Sequence, residues 1–322
     1  MLVEKYLYDK FIRLNMAVHT STYSQIISPE EYNRIMTEEH LYIANADRVI
    51  QKFLKDEINN RVNLEAVEIG CGPARITPLM LEIPELKLTV VDYDADFLDY
   101  ARKVLMLYGS RVRVINADVS TYNHSKSVDV FYSQGFHHHV QKGDAVEKYL
   151  KNVYIQLQNR GAYILSDENL AEYTNSQDRL LKVIVWYSHI IANARKSGFD
   201  DLAQEEAKTL LDDLHENYDT EAIKSKEQID FVLNWVDKID EASSEKIDKA
   251  IFLAENFLEL LRKKRNLKIN GNTTIDLSRG DFKISNSVFR HEVESIGFKI
   301  EKVERIGPTR DIGAICVYLL RK

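Results

Sequence analysis

The sequence predicts an α/β protein with a mostly parallel sheet, and three observations carry that prediction. From Val62 to about Asp167, short runs rich in β-formers alternate with helical patterns. The first apolar run, Leu64–Ile69, ends directly on the tight turn Gly70-Cys71-Gly72. After a long helical stretch, the chain closes with one more helix and two strand-like runs. Alternating order of this kind gives a parallel sheet covered on both faces, with ligands at the carboxyl ends of the strands.

Taken in order, residues 1–60 read as a helical region. Ser28-Pro29-Glu30-Glu31 carries a serine cap, proline in the first turn and a glutamate three residues after the cap. Leu41, Ile43, Val49, Ile50, Phe53 and Leu54 form the apolar stripe that follows. Five strands are expected next, at Leu64–Ile69, Leu86–Val91, Val112–Asn116, Val128–Tyr132 and Ala162–Ser166. Helices are expected between them at Ile76–Leu81, Ala95–Leu107 and Ala145–Leu157.

Residues 168–284 break the alternation and read as a helical insert, with helices over Arg179–Ala194, Leu202–Leu214, Ile229–Val236 and Ile247–Leu261. Its aromatic residues Trp186, Tyr187, Phe231 and Trp235 read mainly as core, and the acidic run Asp200–Asp219 as a solvated face. Ser285 is placed to cap a helix from Asn286 to Ile296, which Gly297 ends. Lys299–Arg305 and Ala314–Leu320 then form an antiparallel pair around Gly307-Pro308 and Gly313. The division expected is a helical N-terminal lid region (1–60), a ligand-binding sheet domain (61–167 and 285–322) and the insert (168–284), a substrate lid or dimer surface.

Composition narrows the function. The 322 residues carry a net charge of −7 and no lysine–arginine block, which argues against a phosphate backbone as ligand. The two cysteines, Cys71 and Cys316, lie far apart in expected core elements, against a disulfide scaffold or a thiolate zinc site. No apolar run approaches membrane-spanning length, and the opening Met1-Leu2-Val3-Glu4-Lys5 has no apolar signal region, so the expected location is the cytoplasm.

The chemistry begins at Glu68-x-Gly70-x-Gly72. Glycines let the backbone turn sharply and come close to a ligand, and the helix expected from near Pro73 directs free amides at the same spot. A dinucleotide fingerprint would need a third glycine at Arg75. Asp92 closes the second strand, Asn116-Ala117-Asp118-Val119 follows the third, and Ser133-Gln134-Gly135-Phe136-His137-His138 follows the fourth.

Four such motifs on four successive strands resemble the class I S-adenosylmethionine (SAM)-dependent methyltransferases, over about residues 60–167 and 285–322. The resemblance implies a Rossmann-like, seven-stranded, mostly parallel sheet with an antiparallel C-terminal strand. It also implies the cofactor. The loop Gly70, Cys71, Gly72 would pass under the methionine part of SAM, with Ala74 in place of the family's third glycine and Glu68 supporting the loop or the SAM amine. Asp92, with Tyr93 beside it, would accept both ribose hydroxyls. Asp118 and Val119 would meet the adenine, and Ser133 and Gln134 would pass the methyl donor. The N-terminal region, with Tyr6, Tyr8, His19 and Tyr23, often folds over SAM in this family.

Candidates on the acceptor side are His137 and His138 as general base, with Phe136, Asp167, Asn169 and Tyr187 as substrate contacts. Plain architecture is the competing reading of the histidines, and helix capping that of the Asp167-Glu168-Asn169 run and of Asp94. Three consecutive histidines, His137–His139, rarely converge on one ion, so no metal is expected. Lys283 is a further residue able to reach the site. The expected reaction is methyl transfer from SAM to a small-molecule nitrogen or oxygen by in-line displacement, for which alignment supplies most of the rate. Cyclisation or cleavage of SAM on its aminobutyrate side, releasing methylthioadenosine, would need the same cofactor motifs. A non-catalytic protein with the insert as docking surface is the third reading.

Overall fold

The computed structural model describes residues 24, 27–58, 64–84, 86–140, 143–214, 226–264 and 281–322. Tyr6, Tyr8, His19 and Tyr23 lie outside these residues, as does the acidic run beyond Leu214. The first described helix, α1 (Pro29–Arg34), is capped as the sequence implies: the Ser28 hydroxyl accepts the Glu31 amide. A π-helical turn (Ile35–Glu39) leads into α2 (Ile43–Ile58).

The sheet then builds strand by strand: β1 (Glu65–Ile69), α3 (Thr77–Met80), β2 (Lys87–Asp92), α4 (Ala95–Leu105), β3 (Val112–Asn116), β4 (Val128–Gln134), α5 (Asp144–Gln156) and β5 (Leu157–Leu170). The insert supplies α6 (Ser176–Lys196), α7 (Asp200–Asp213), α8 (Lys226–Glu245) and α9 (Ile247–Lys264). The chain ends with β6 (Ile284–Ser285), α10 (Asn286–Ile296), β7 (Lys299–Thr309) and β8 (Gly313–Arg321).

Sheet order is β3-β2-β1-β4-β5-β8-β7, with the two-residue β6 pairing in parallel with the end of β5. The other pairings among β1–β5 are parallel, and β8 runs antiparallel to both β5 and β7. Seven strands were expected, and β6 is the eighth. Strand β5 also runs well past its expected ends, because β8 pairs with it from Ala162 to Leu170.

Side-chain alternation along the strands assigns the two faces. Ala66, Val130, Tyr132, Ile164 and Val317 pack with Ile50, Phe53 and Leu54 of α2 and Leu98 of α4. Val67, Ile69, Phe131, Tyr163, Leu165 and Tyr318 face Tyr149 and Val153 of α5 and Phe289 and Val293 of α10. The insert has its own core, in which Leu180, Ile184, Trp186, Tyr187 and Ile191 of α6 meet Leu202, Leu210, Val236 and Phe257. Trp186 joins that core to the sheet. Its ring lies where a Cβ on Gly313 would come to 2.8 Å, and its indole donates to Glu168 Oε2 at 2.8 Å.

Candidate active site

The turn after β1 is held open by backbone conformation. Gly70, Gly72 and Ala74 have φ of +64°, +52° and +61°, so every second residue occupies the left-handed region. A Cβ on Gly70 would come within 2.3 Å of the Phe136 ring, so glycine is required there on two counts. The loop is fastened to β2 because Asp92 Oδ2 accepts the Gly72 amide at 2.8 Å and Oδ1 the Asp94 amide at 2.9 Å. Beneath the loop, Glu68 is buried and its Oε2 accepts from Thr77 Oγ1 and Tyr132 OH, each at 2.7 Å. Burial pushes the Glu68 carboxyl up to about 7, against those two hydrogen bonds and the Arg75 guanidinium. Glu68 thus ties β1 to α3 and to β4. Cys71 is buried and its thiol is raised, by burial first and by Asp92 and Glu68 next.

Around this turn stand the other residues expected to meet a nucleoside. Tyr93 is exposed, at 59%. The Asp118 side chain accepts the Ser120 amide at 2.7 Å and shapes the turn through Val119. Asn116 Nδ2 donates to the Asp92 and Tyr93 carbonyls, which aligns the ends of β2 and β3. Asp94 caps α4 by accepting the Asp96 and Phe97 amides, and it also accepts the amide and hydroxyl of Ser24. Gln134 lines a neighbouring cavity, and its buried Oε1 has no hydrogen-bond partner. Ser133 turns the other way: fully buried, it bonds Tyr163 at 2.9 Å, so its hydroxyl is committed to the core.

Six separate stretches of chain wall the cavity beside the glycine turn, one of them through Ile315 of β8. Gln134, Gly135, His138 and His139 come from the end of β4, Asp167 and Glu168 from β5, Tyr32, Met36 and His40 from the N-terminal helices. Glu206 and Thr209 of α7, with Asp281 and Lys283, complete it.

His138 is oriented by Asp167, which accepts the His138 amide at 3.0 Å on Oδ2 and bonds Nδ1 with Oδ1. Burial works against its charged form, but the Asp167 and Asp281 carboxylates outweigh burial and push it up to about 8. Lys283 Nζ donates to Tyr187 OH at 2.7 Å and to Asp281 Oδ2 at 2.6 Å, and lies 3.2 Å from Glu168 Oε2. Glu168 is held well below the usual carboxylate range: burial opposes this, and the Lys283 and His40 charges prevail. Glu206 goes the other way. Burial, with Glu168 next to it, raises its carboxyl to about 7 despite His40.

Several sequence expectations change at this site. His137 bonds Tyr149 OH through Nδ1 and Glu292 Oε2 at 2.9 Å through Nε2, so both ring nitrogens are engaged away from the cavity. Asp167 is no helix cap: it lines the cavity, and both its oxygens meet His138. Asn169 accepts from Tyr318 OH at 2.9 Å and donates to the Ile284 carbonyl, which ties β5 to its neighbours. Tyr187 is fully buried behind Asp281 and Lys283, and Phe136 packs over Gly70 and edge-on to Tyr149. The cavity residues His40, Glu206 and Asp281 carried no sequence signal, since each lies far from the glycine motifs in the chain. Lys283 is signalled in the sequence only by its position in the segment that leads back to the sheet.

Residues 66–161 match the family model described as a methyltransferase domain. Among solved structures, the chain resembles the 1,6-didemethyltoxoflavin-N1-methyltransferase of Burkholderia thailandensis, at 13% identity over 98% of this chain and 89% of that one, with a TM-score of 0.48. It also resembles the N-methyltransferase NodS of Bradyrhizobium japonicum, at 8% identity over 88% and 89%, TM-score 0.46. A third likeness is the cyclase SpnF, at 8% identity over 88% and 87%, TM-score 0.49. At such identities these likenesses carry nothing about the acceptor. No curated protein matches the chain. With the family match spanning β1 to β5 and the motif residues gathered at the carboxyl ends of those strands, the chain carries a class I SAM-dependent methyltransferase domain.

Proposed function

We propose that this protein methylates a small molecule at nitrogen or oxygen, with the acceptor seated in the cavity lined by His138. The observation that carries the reading is the position of that cavity. Phe136 covers Gly70 of the glycine turn, while its neighbours Gly135 and His138 line the cavity wall. Donor loop and acceptor space therefore adjoin across one short loop.

The residues present suit the cofactor. The left-handed turn at Gly70–Ala74 carries no side chain at Gly70 or Gly72, and the Asp92 carboxylate stands at the end of β2 with lone pairs beyond those its two amides use. SAM, when bound, supplies an activated methyl group. The chain's task is alignment and the exclusion of water, since effective molarities for well-held reactants reach about 10⁵–10⁸ M. Asp167 fixes His138 so that Nε2 is the ring nitrogen left for the cavity, and an acceptor that must lose a proton would lose it at this edge. The N-terminal helices and the insert act as walls, through Tyr32 and His40 on one side and Glu206, Asp281 and Lys283 on the other. The net charge of −7 supports a small acceptor over a nucleic acid.

Product analysis tests the reading. Incubation with SAM and candidate amines, phenols and alcohols should yield S-adenosylhomocysteine with a methylated product. Methylthioadenosine instead would select cyclisation or cleavage. Failure to bind SAM at all would leave only the docking-protein reading.

A further inference from the structure

His138, His139 and Asp281 meet in a way that adjacent histidines seldom allow. The 3₁₀ turn His137–His139 follows Gly135, at φ +61°, and brings the rings of His138 and His139 to 4.0 Å between centroids. One ligand atom from each of the three residues lies within 4.8 Å of the others. His139 Nδ1 stands 3.1 Å from Asp281 Oδ1, and His138 Nε2 stands 3.8 Å from Asp281 Oδ2. At metal–ligand distances of about 2.0–2.1 Å, neighbouring ligands of a tetrahedral ion are about 3.3–3.4 Å apart. The two observed separations, made to different Asp281 oxygens, fall on either side of that edge, and small side-chain rotations would bring one atom of each residue onto a common ion. We propose that these three side chains bind one divalent first-row metal ion of the zinc type, with its open coordination position facing the cavity.

The surroundings of the three donors support this independently of their spacing. Asp167 engages His138 at Nδ1, so a metal that displaces the Nε2 proton meets an outward lone pair, the outer-sphere arrangement that metal-bound histidines usually have. The donor set is two imidazoles and a carboxylate with no thiolate, which suits zinc, iron, nickel or cobalt in the divalent state and not a soft monovalent ion. Lys283 is the natural objection, since its ammonium touches Asp281. The contact itself answers it, because Nζ meets that carboxylate at Oδ2. Lys283 then acts as a brace, holding Asp281 from Oδ2 while Oδ1 faces His139.

Metal binding here rests on geometry alone. The role of the ion in holding an acceptor oxygen or nitrogen rests on the acceptor seat proposed above, and it would activate that atom in place of a free His138 Nε2. The test uses full-length protein stripped of metal, titrated with Zn²⁺ by calorimetry and with Co²⁺ by visible absorption. One equivalent should bind, with ligand-field absorption from Co²⁺. His139→Ala, which removes a half-exposed side chain, should weaken binding by at least about tenfold while retaining the wild-type melting curve. Asp281→Asn should weaken it as well. Absence of stoichiometric binding to wild type, or unchanged affinity in His139→Ala, overturns the proposal. SAM titrated into the same samples separates the two readings: intact SAM binding without metal binding removes only the ion.

Discussion

The two halves of the site are built by opposite means. On the proposed cofactor side, the glycine turn and the ends of β2 and β3 offer backbone conformation and the Asp92 carboxylate, all within the stretch from Glu68 to Val119. On the proposed acceptor side, ionisable side chains from five separate parts of the chain converge on one cavity. Backbone geometry at a tight turn constrains sequence strongly, because few residues tolerate left-handed φ. A wall of charged side chains constrains it weakly, because many combinations satisfy the same electrostatics. The glycine turn therefore limits which residues can stand there more tightly than the cavity wall does.

Substitutions can break this contrast, and the largest effect should come from the backbone. Gly70→Ala forces a Cβ to within 2.3 Å of Phe136 at a φ of +64°, and should cost about 2–4 kcal/mol of stability, measured by denaturant unfolding. Asp92→Ala removes the acceptor of the Gly72 and Asp94 amides together with the carboxylate proposed to hold the ribose. It should weaken SAM binding by about 1.5–3 kcal/mol in calorimetry, and an unchanged affinity would contradict the cofactor placement. On the acceptor side, Asp167→Asn should leave SAM affinity intact but slow methyl transfer roughly 10–100-fold, because His138 loses its fixed orientation. If SAM affinity fell equally, the two halves would not be separable.

The mildest test is a pH profile. Burial raises the Glu68 carboxyl to about 7, so the folded protein keeps that proton to higher pH than the unfolded chain does. Glu68 thus adds no penalty below its unfolded value near 4.5; it costs stability progressively as pH climbs from there to about 7, and the penalty stays constant above. Glu68→Gln should remove that pH dependence, so the difference in melting temperature between variant and wild type should shift in favour of the variant across this window. A constant difference would mean that Glu68 is ionised throughout.

Much of the fold was legible before any coordinates. The order of strands, the helical insert and the antiparallel ending all follow from period and turn residues, and the Ser28 cap forms as read. The ends of β5 were not legible, because they depend on pairing with β8, which lies some 150 positions along the chain. Within the site, Gly70, Gly72 and Asp92 were readable because each answers a local demand. His137 and His138 were indistinguishable by sequence, yet Tyr149 and Glu292 claim the first while Asp167 directs the second to the cavity. Three consecutive histidines do not converge here, since His137 turns away, but the 3₁₀ turn brings His138 and His139 to 4.0 Å between centroids, tilted by 51°. Long-range partners decide such cases, and single-sequence patterns do not encode them.

The central claim is that the nucleoside lies over the ends of β1, β2 and β3. A crystal structure of the protein with S-adenosylhomocysteine tests it most directly. The account predicts ribose hydroxyls within hydrogen-bonding distance of Asp92, with the amino-acid tail against Gly70 and Gly72. A nucleoside bound elsewhere, with Asp92 touching only its two amides, would contradict it.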